Sequence, residues 1–554
     1  MTRSTSTVLA VRLGFLLVAA GYAGGARAQF PSARPRSSEF AAPIASEFAG
    51  AYAYEELPSI AYAPPALARI PGGNFLMGNS YSNLFPNEGW AHESPVHAVP
   101  VGEFFIGRFE FTNGELARTL QWAYGNGLVE LDQTATTNVA GGVTNVMTNL
   151  YGTVRNTEGT KRELVDLDAT YCQIAFTNGA FAVAADKTNF PAIHVTWHGA
   201  LAVCNYLSDR EGLARAVDFA PADWIVDIAA SGYRLSTEAE WEKACRGGNH
   251  GTHYPWPDDS VQGTNVYLYS TDPVRANYWD ARYGATLANH PMHPWFGEAI
   301  RTTPVGYYNG AQVITNLHTN FVFQAGTAGA DFGQTNDMAN GYGLYDMAGN
   351  VYEWCWDYHA TNWYADPAAS LPDPTGPAAA ASFHTQRVVR GGGFTYYAGA
   401  GMPDPSFQRC AFHTSLPASF SATYLGFRVA RRPTAYETWA VAAGLDPLAT
   451  NGVADADFDG DTFSNGDERI AGTQPTNPAS FFRVAGVGTV SNRVPLAYGA
   501  VSGRVTTVET ATNLVPEGWQ LWATTTNAET GPAEFSAEAA GGRRFYRLRV
   551  REEP

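Results

Sequence analysis

The densest set of ligating groups in this 554-residue sequence is Asp457-Phe-Asp459-Gly-Asp461-Thr-Phe463-Ser-Asn465-Gly-Asp-Glu468. Carboxylates at loop positions 1, 3 and 5, a main-chain carbonyl at 7, an amide at 9 and a terminal Glu at 12 supply the roughly six to eight oxygens that a hard cation such as calcium requires. The side chains of Asp457, Asp459, Asp461, Asn465 and Glu468 and the carbonyl of Phe463 are the expected ligands. In a plain acidic turn with no cation, the three aspartates would repel one another.

Other ligating residues show no such spacing. The 12 histidines, among them His92, His97, His194, His198, His290, His293, His384 and His413, include no His-x-x-x-His with a flanking Glu. His194 and His198 are four apart but straddle an expected helix start, so they read as structural. The five cysteines, Cys172, Cys204, Cys245, Cys355 and Cys410, form no Cys-x-x-Cys or Cys/His ligand spacing, and no zinc site is expected. An odd count leaves at least one thiol unpaired, and Cys172 and Cys355 could pack as small hydrophobes.

The elements that must position these residues are short. Residues 1–28 carry Arg3 and Arg12, an apolar run from Leu13 to Ala20 and Ala26-Arg27-Ala28, the order of an export signal. Removing them takes away three arginines and no acid, moving the formal charge from −17 to −20; that acidity makes nucleic acid an improbable partner. The apolar run is far short of the roughly 20 residues of a membrane span, so an exported protein without a transmembrane segment is expected. Residues 29–66 are rich in Pro, Ser and Ala and read as a linker. The stretch 67–432 mixes short apolar runs with Gly/Asn/Pro turns and two helices, an irregular α+β pattern. One helix holds Ala200, Val203, Cys204 and Leu207 at helical spacing, and the other starts at the capping pattern Thr237-Glu-Ala-Glu240. Segments such as FFIGRFEF and RVVRGGGF suit strands. Residues 433–478 are acidic, and 479–554 alternate as short strands of a small β domain for attachment, packing or interaction, with association to a cell surface one option.

Ten segments in order resemble the formylglycine-generating enzyme, or sulfatase-modifying factor, family. They include IPGGNFLMGN (Ile70–Asn79), HESPVHAV (His92–Val99), FFIGRFEFTNGELA (Phe104–Ala117), FPAIHVTWHGALAVCNYLSDREGL (Phe190–Leu213), YRLSTEAEWEKACRGG (Tyr233–Gly248), NGYGLYDMAGNVYEW (Asn340–Trp354) and YLGFRVARR (Tyr424–Arg432). The resemblance implies an irregular α+β fold related to C-type lectins. DFDGDTFSNGDE, with Gly460 at loop position 4, resembles thrombospondin type-3 repeats, so a calcium loop and the small β domain are expected to follow the main domain.

The resemblance also implies chemistry. Family members that oxidise a sulfatase cysteine to formylglycine hold copper(I) on two cysteines after an Arg-Gly-Gly-Ser segment, and soft thiolates suit that metal. Here Arg390-Gly-Gly-Gly393 is followed by Tyr396 at the first cysteine position, with no cysteine before Cys410, so copper is not expected. By the same likeness Cys410 pairs with Cys245 in a disulfide, and Cys204 is a buried free thiol because its partner's position holds Val429. The family's main-domain calcium carries over onto the side chains of Asp346 and Glu353 and the carbonyls of Gly349 and Val351. A second site would start at Asn277 and the Tyr278 carbonyl, its remaining ligands falling in a divergent stretch.

Three readings follow. The first is a calcium-stabilised binding or scaffolding module that takes a peptide, glycan or protein ligand. The second is an oxidoreductase converting a sulfatase cysteine to formylglycine. The third is a different enzyme on the same scaffold, with Arg390, Tyr396, Tyr397 and His413 near its cleft.

Overall fold

Three threonines start the three α-helices of the main unit among the described residues. Thr112 and Thr237 form reciprocal capping boxes with Glu115 and Glu240, opening α1 (Asn113–Gly125) and α3 (Glu238–Cys245). Thr196 accepts from the Gly199 N–H at 2.9 Å and opens α2 (Trp197–Glu211), which Gly212 closes at φ 69°. Two helices are expected in this unit and its described residues hold three, because Thr112-x-x-Glu115 carries the same capping signature as Thr237-x-x-Glu240.

The structure is a computed structural model that describes residues 54–56, 62–79, 89–140, 143–249, 251–256, 276–278, 302–314, 333–335, 337–378, 386–394, 405–482, 484–487, 493–511, 519–538 and 545–552. The expected export signal lies outside them. The chain divides after Pro433 into two compact units.

In the main unit every position of α2 from Trp197 to Ser208 is buried, so this helix is a core element enclosed on all sides rather than an amphipathic surface one. Beside it a four-stranded antiparallel sheet runs in the order Arg234–Leu235, Val429–Arg431, Phe104–Gly107, Leu67–Ile70. A second four-stranded sheet orders Thr414–Pro417, Gln386–Arg390, Tyr352–Tyr358 and Leu425–Gly426, the last pairing parallel to its neighbour. Many small sheets and few helices make up the mixed fold. The strand Tyr54–Glu56, which pairs with Ala182–Ala184, falls inside the segment expected to be a linker.

In the other unit, α4 (Ala435–Ala442) and α5 (Asn465–Ala471) accompany two three-stranded antiparallel sheets. Ile470 and Ala471 of α5 share a core with Phe482, Leu496, Val508 and Leu548. The acidic loop and the terminal strands, separate modules in the sequence reading, therefore fold around one core. Among the described residues no helix is long and apolar enough to cross a membrane.

His194 and His198 are buried at the start of α2, as expected of structural residues; His198 meets Trp197 and Trp224 edge-on at 5.2 and 5.1 Å. Burial lowers both imidazoles to about 4. Their folded values lie below the unfolded one near 6.5, so the stability they contribute is present above pH 6.5 and is lost as pH falls toward 4. Each shift corresponds to a loss on the order of 3 kcal/mol once protonation is complete. The double variant His194→Asn, His198→Gln should show a flatter stability profile between pH 7 and 4 in urea unfolding, and an unchanged slope would contradict this assignment.

Candidate functional site

Arg390 closes the strand Gln386–Arg390 opposite Glu353. Its guanidinium is fully buried and donates to the Cys410 carbonyl (2.8 Å), the Tyr364 hydroxyl (2.7 Å) and Glu238 Oε1 (2.7 Å), with Glu242 Oε2 at 3.0 Å. Arg390 is therefore an interior cation that fastens α3 to the second sheet, which corrects its placement as a cleft residue. Burial raises the Glu238 carboxyl, but His413 and Arg390 outweigh that and hold it well below the usual carboxylate range. His413 lies against it, Nδ1 to Glu238 Oε1 at 2.9 Å and to the Tyr364 hydroxyl at 3.2 Å. Tyr396 and Tyr397 lie outside the described residues.

Two further histidines meet His413. His92 sits on a 3-10 turn, Ala91–Glu93, and His359 follows the strand Tyr352–Tyr358. The ring centres of His92 and His413 are 4.5 Å apart, those of His359 and His413 5.5 Å, and those of His92 and His359 5.6 Å. Glu93, next to His92, is wholly buried and takes a bidentate pair from Arg409 at 2.7 and 2.8 Å, locking the turn against the segment that carries His413. No spacing rule reaches this trio, because its members come from three distant parts of the chain; only the clustering of His92 and Glu93 in HESP hinted at it.

The loop 346–353 is a tight polar knot. Asp346 Oδ2 accepts from the Gly306 N–H at 2.6 Å, and burial together with the charge of Glu353 pushes its carboxyl up to about 6. Gly349 sits at φ 96°, where a Cβ would come within 2.4 Å of the Asn277 carbonyl oxygen, and its N–H donates to Gly391. The Asn277 carbonyl accepts from the Asn350 N–H at 2.7 Å, while Tyr278 packs in an aromatic cluster. Glu110, which the sequence patterns did not single out, accepts from the Val351 N–H and the Asn350 amide. Glu353, an expected calcium ligand, meets a cation of the chain itself: its two oxygens accept from Arg428 at 2.6 Å each, and Oε2 also from Trp241 at 2.8 Å. That bidentate ion pair already neutralises the charge a cation would need.

The acidic loop is brought together. A carboxylate oxygen from each of Asp457, Asp459 and Asp461 lies within 4.8 Å of the others. Asp457 accepts from the N–H groups of Gly460, Asp461 and Thr462 and so wraps the loop around itself. Thr462 takes φ 82°, a strained value for a β-branched residue, at the position where the sequence lacks the Gly such a turn favours. Glu468 points in from α5, and one oxygen each of Glu468, Asp459 and Asp461 is buried without a hydrogen-bond partner. Burial, then the three aspartate charges, push Glu468 up to about 7. Asn465, another expected ligand, is held in the loop: its oxygen accepts from the Phe458 N–H, and its amide donates to the Asn451 and Val453 carbonyls. The Phe463 N–H donates to Asp461.

Cys245 and Cys410 meet as expected, but as two thiols with sulfurs 3.1 Å apart instead of a disulfide. Both are buried among apolar side chains, and burial followed by the Cys410 contact pushes the Cys245 thiol well above its usual range. Cys172, Cys204 and Cys355 are also buried thiols outside any disulfide, and Cys172 donates to the Ile174 carbonyl at 3.3 Å.

This fold and these motif positions define a family. The sulfatase-modifying factor enzyme 1-like domain matches residues 55–433, more than half of the chain, and the chain belongs to that family. It is 28% identical over 380 residues to the formylglycine-generating enzyme of Thermomonospora curvata, covering 66% of this chain and 93% of that one. Identity to the enzyme of the same name from Streptomyces coelicolor is 27% over 336 residues, covering 59% and 77%. Among solved structures, Treponema denticola variable protein 1 aligns with a TM-score of 0.36 at 21% identity, covering 66% of this chain and 95% of that one.

Removing one partner of the buried Glu93–Arg409 pair strands the other charge. Arg409→Met should destabilise the main unit by about 3 to 5 kcal/mol, whereas adding Glu93→Met should recover much of that loss. Denaturant unfolding of the two variants checks this, and a single variant as stable as wild type would show the pair to be dispensable.

Proposed function

We propose that this protein is an exported, calcium-stabilised binding module with a C-type-lectin-like fold, built on the sulfatase-modifying factor scaffold and not acting through that family's copper chemistry. The carrying observation is the placement of sulfur. No cysteine occurs between Arg390 and Cys410, and all five thiols are buried in apolar surroundings. Copper(I) on the family's pattern needs paired thiolates that dioxygen can reach. The nearest thing to a pair, Cys245 with Cys410, lies inside the core, where ionisation of the Cys245 thiol is disfavoured.

Calcium is assigned to the loop Asp457–Glu468, in the manner of a thrombospondin type-3 repeat. Supporting it are the converging aspartates, the orphaned buried oxygens and the inward Glu468, a hard, all-oxygen donor set. A divalent cation there offsets both the burial and the aspartate charges that push Glu468 up. At 346–353 support is weaker, since Arg428 occupies Glu353. The ligand of the module is an exported peptide, glycan or protein met by loops of the main unit.

Two measurements test the reading. Incubation of the purified protein with a Cys-x-Pro-x-Arg peptide, copper and oxygen should yield no aldehyde product by mass spectrometry, and substantial turnover would overturn it. Calcium at about a hundred times its Kd should add about 2.7 kcal/mol to the C-terminal unit, an increment that Asp459→Ala removes; a calcium-independent melting curve would refute the loop assignment.

A further inference from the structure

The trio His92, His359 and His413 has a geometry that a buried aromatic cluster does not require. The ligand-capable atoms of the three side chains all lie within 4.8 Å of one another. A tetrahedral ion with bonds of about 2.0 to 2.1 Å draws its nitrogens to roughly 3.3 Å apart. Side-chain shifts of about an ångström would bring these three to that spacing. Ring centres at 4.5 to 5.6 Å already surround one point.

The outer contacts fix which nitrogen faces inward. His413 Nδ1 lies 2.9 Å from Glu238 Oε1, so in the tautomer that donates there Nε2 keeps its lone pair. His92 Nε2 lies 3.2 Å from the His413 carbonyl oxygen, so in the tautomer that donates there Nδ1 keeps its lone pair. A carboxylate or carbonyl behind these two imidazoles is the arrangement that orients metal-binding histidines and raises their basicity. His413 is buried, whereas His92 and His359 are partly exposed, so the trio closes toward the core and opens toward solvent.

We propose that His92, His359 and His413 form a mononuclear site for a borderline divalent cation of the zinc class, with Glu238 and the His413 carbonyl as positioning groups. Three neutral nitrogens suit such an ion and disfavour calcium or magnesium, which select oxygen. Three protein ligands with a solvent side leave a fourth position for water or a ligand atom, the pattern of an open zinc site. The assignment stands apart from the binding-module reading, because zinc is redox-inert and its presence does not decide the peptide oxidation assay.

The test uses the full-length mature protein, stripped with a chelator and held in excess calcium so that oxygen sites are filled. Titration with zinc chloride against a chromophoric chelator should show one equivalent bound. Cobalt(II) in its place should give the visible bands of a low-coordinate nitrogen site. His359→Ala and, as a milder change, His359→Gln should each lose at least tenfold in zinc affinity while melting as wild type does in the metal-free state. Absence of zinc binding at micromolar concentration would overturn the proposal, as would wild-type affinity in both folded variants or a cobalt spectrum identical to that of the free aquo ion.

Discussion

The main unit depends on burying charge in matched pairs. Arg234, Arg246, Arg387, Arg390, Arg409 and Arg428 are among its largest fully buried side chains. An isolated buried ion would cost several kcal/mol. Arg390 avoids that by meeting Glu238 and Glu242 on α3, Arg246 by meeting Glu242, and Arg428 by meeting Glu353. Regular secondary structure in this unit is scarce, so these pairs supply much of the specificity that long sheets supply elsewhere. The pairs of Arg390 and Arg428 join elements distant in sequence, that of Arg246 closes the end of α3 on itself, and each fixes a direction as well as a distance because the guanidinium fork is planar.

The same requirement shapes the trio of histidines. Glu238 is the first residue of α3, so the capping box at Thr237 that starts the helix also aims this carboxylate. Glu238 then serves two neighbours: Arg390, which pulls it into the core, and His413, whose ring it orients. Glu93 and Arg409 repeat the device from the opposite side, setting the turn that carries His92. Ion pairs that hold the scaffold thus also hold two of the three imidazoles.

Much of this was legible locally and little of it globally. Capping boxes, the helical spacing of α2 and the loop Asp457–Glu468 all write their geometry within a dozen residues, and the ordered family segments located the domain. The missing helix α1 had a readable signal in Thr112 and Glu115. Three things had none. The fate of Glu353 was decided by Arg428, the availability of Asn465 by backbone groups of Asn451, Val453 and Phe458, and the histidine trio by the packing of three separate segments. Spacing rules detect ligands that share one loop or helix. They are silent when tertiary contacts bring ligands together or satisfy them first.

That distinction also separates the two proposed cation chemistries. The acidic loop is a local device: its charges repel in the absence of an ion, and short-range turn geometry with one inward Glu defines the cage, so its affinity is tied to the folding of a dozen residues. The histidine trio carries no formal charge when its rings are neutral, so no repulsion has to be relieved, and its cage is defined by the whole main unit. Hard oxygen donors and borderline nitrogen donors occur in separate units of one chain, so the two proposed sites would sort the ions by donor chemistry alone. A loop that waits for its ion and a pocket pre-set by ion pairs are different solutions, and the second is the one on which ligand recognition can be built without refolding the protein.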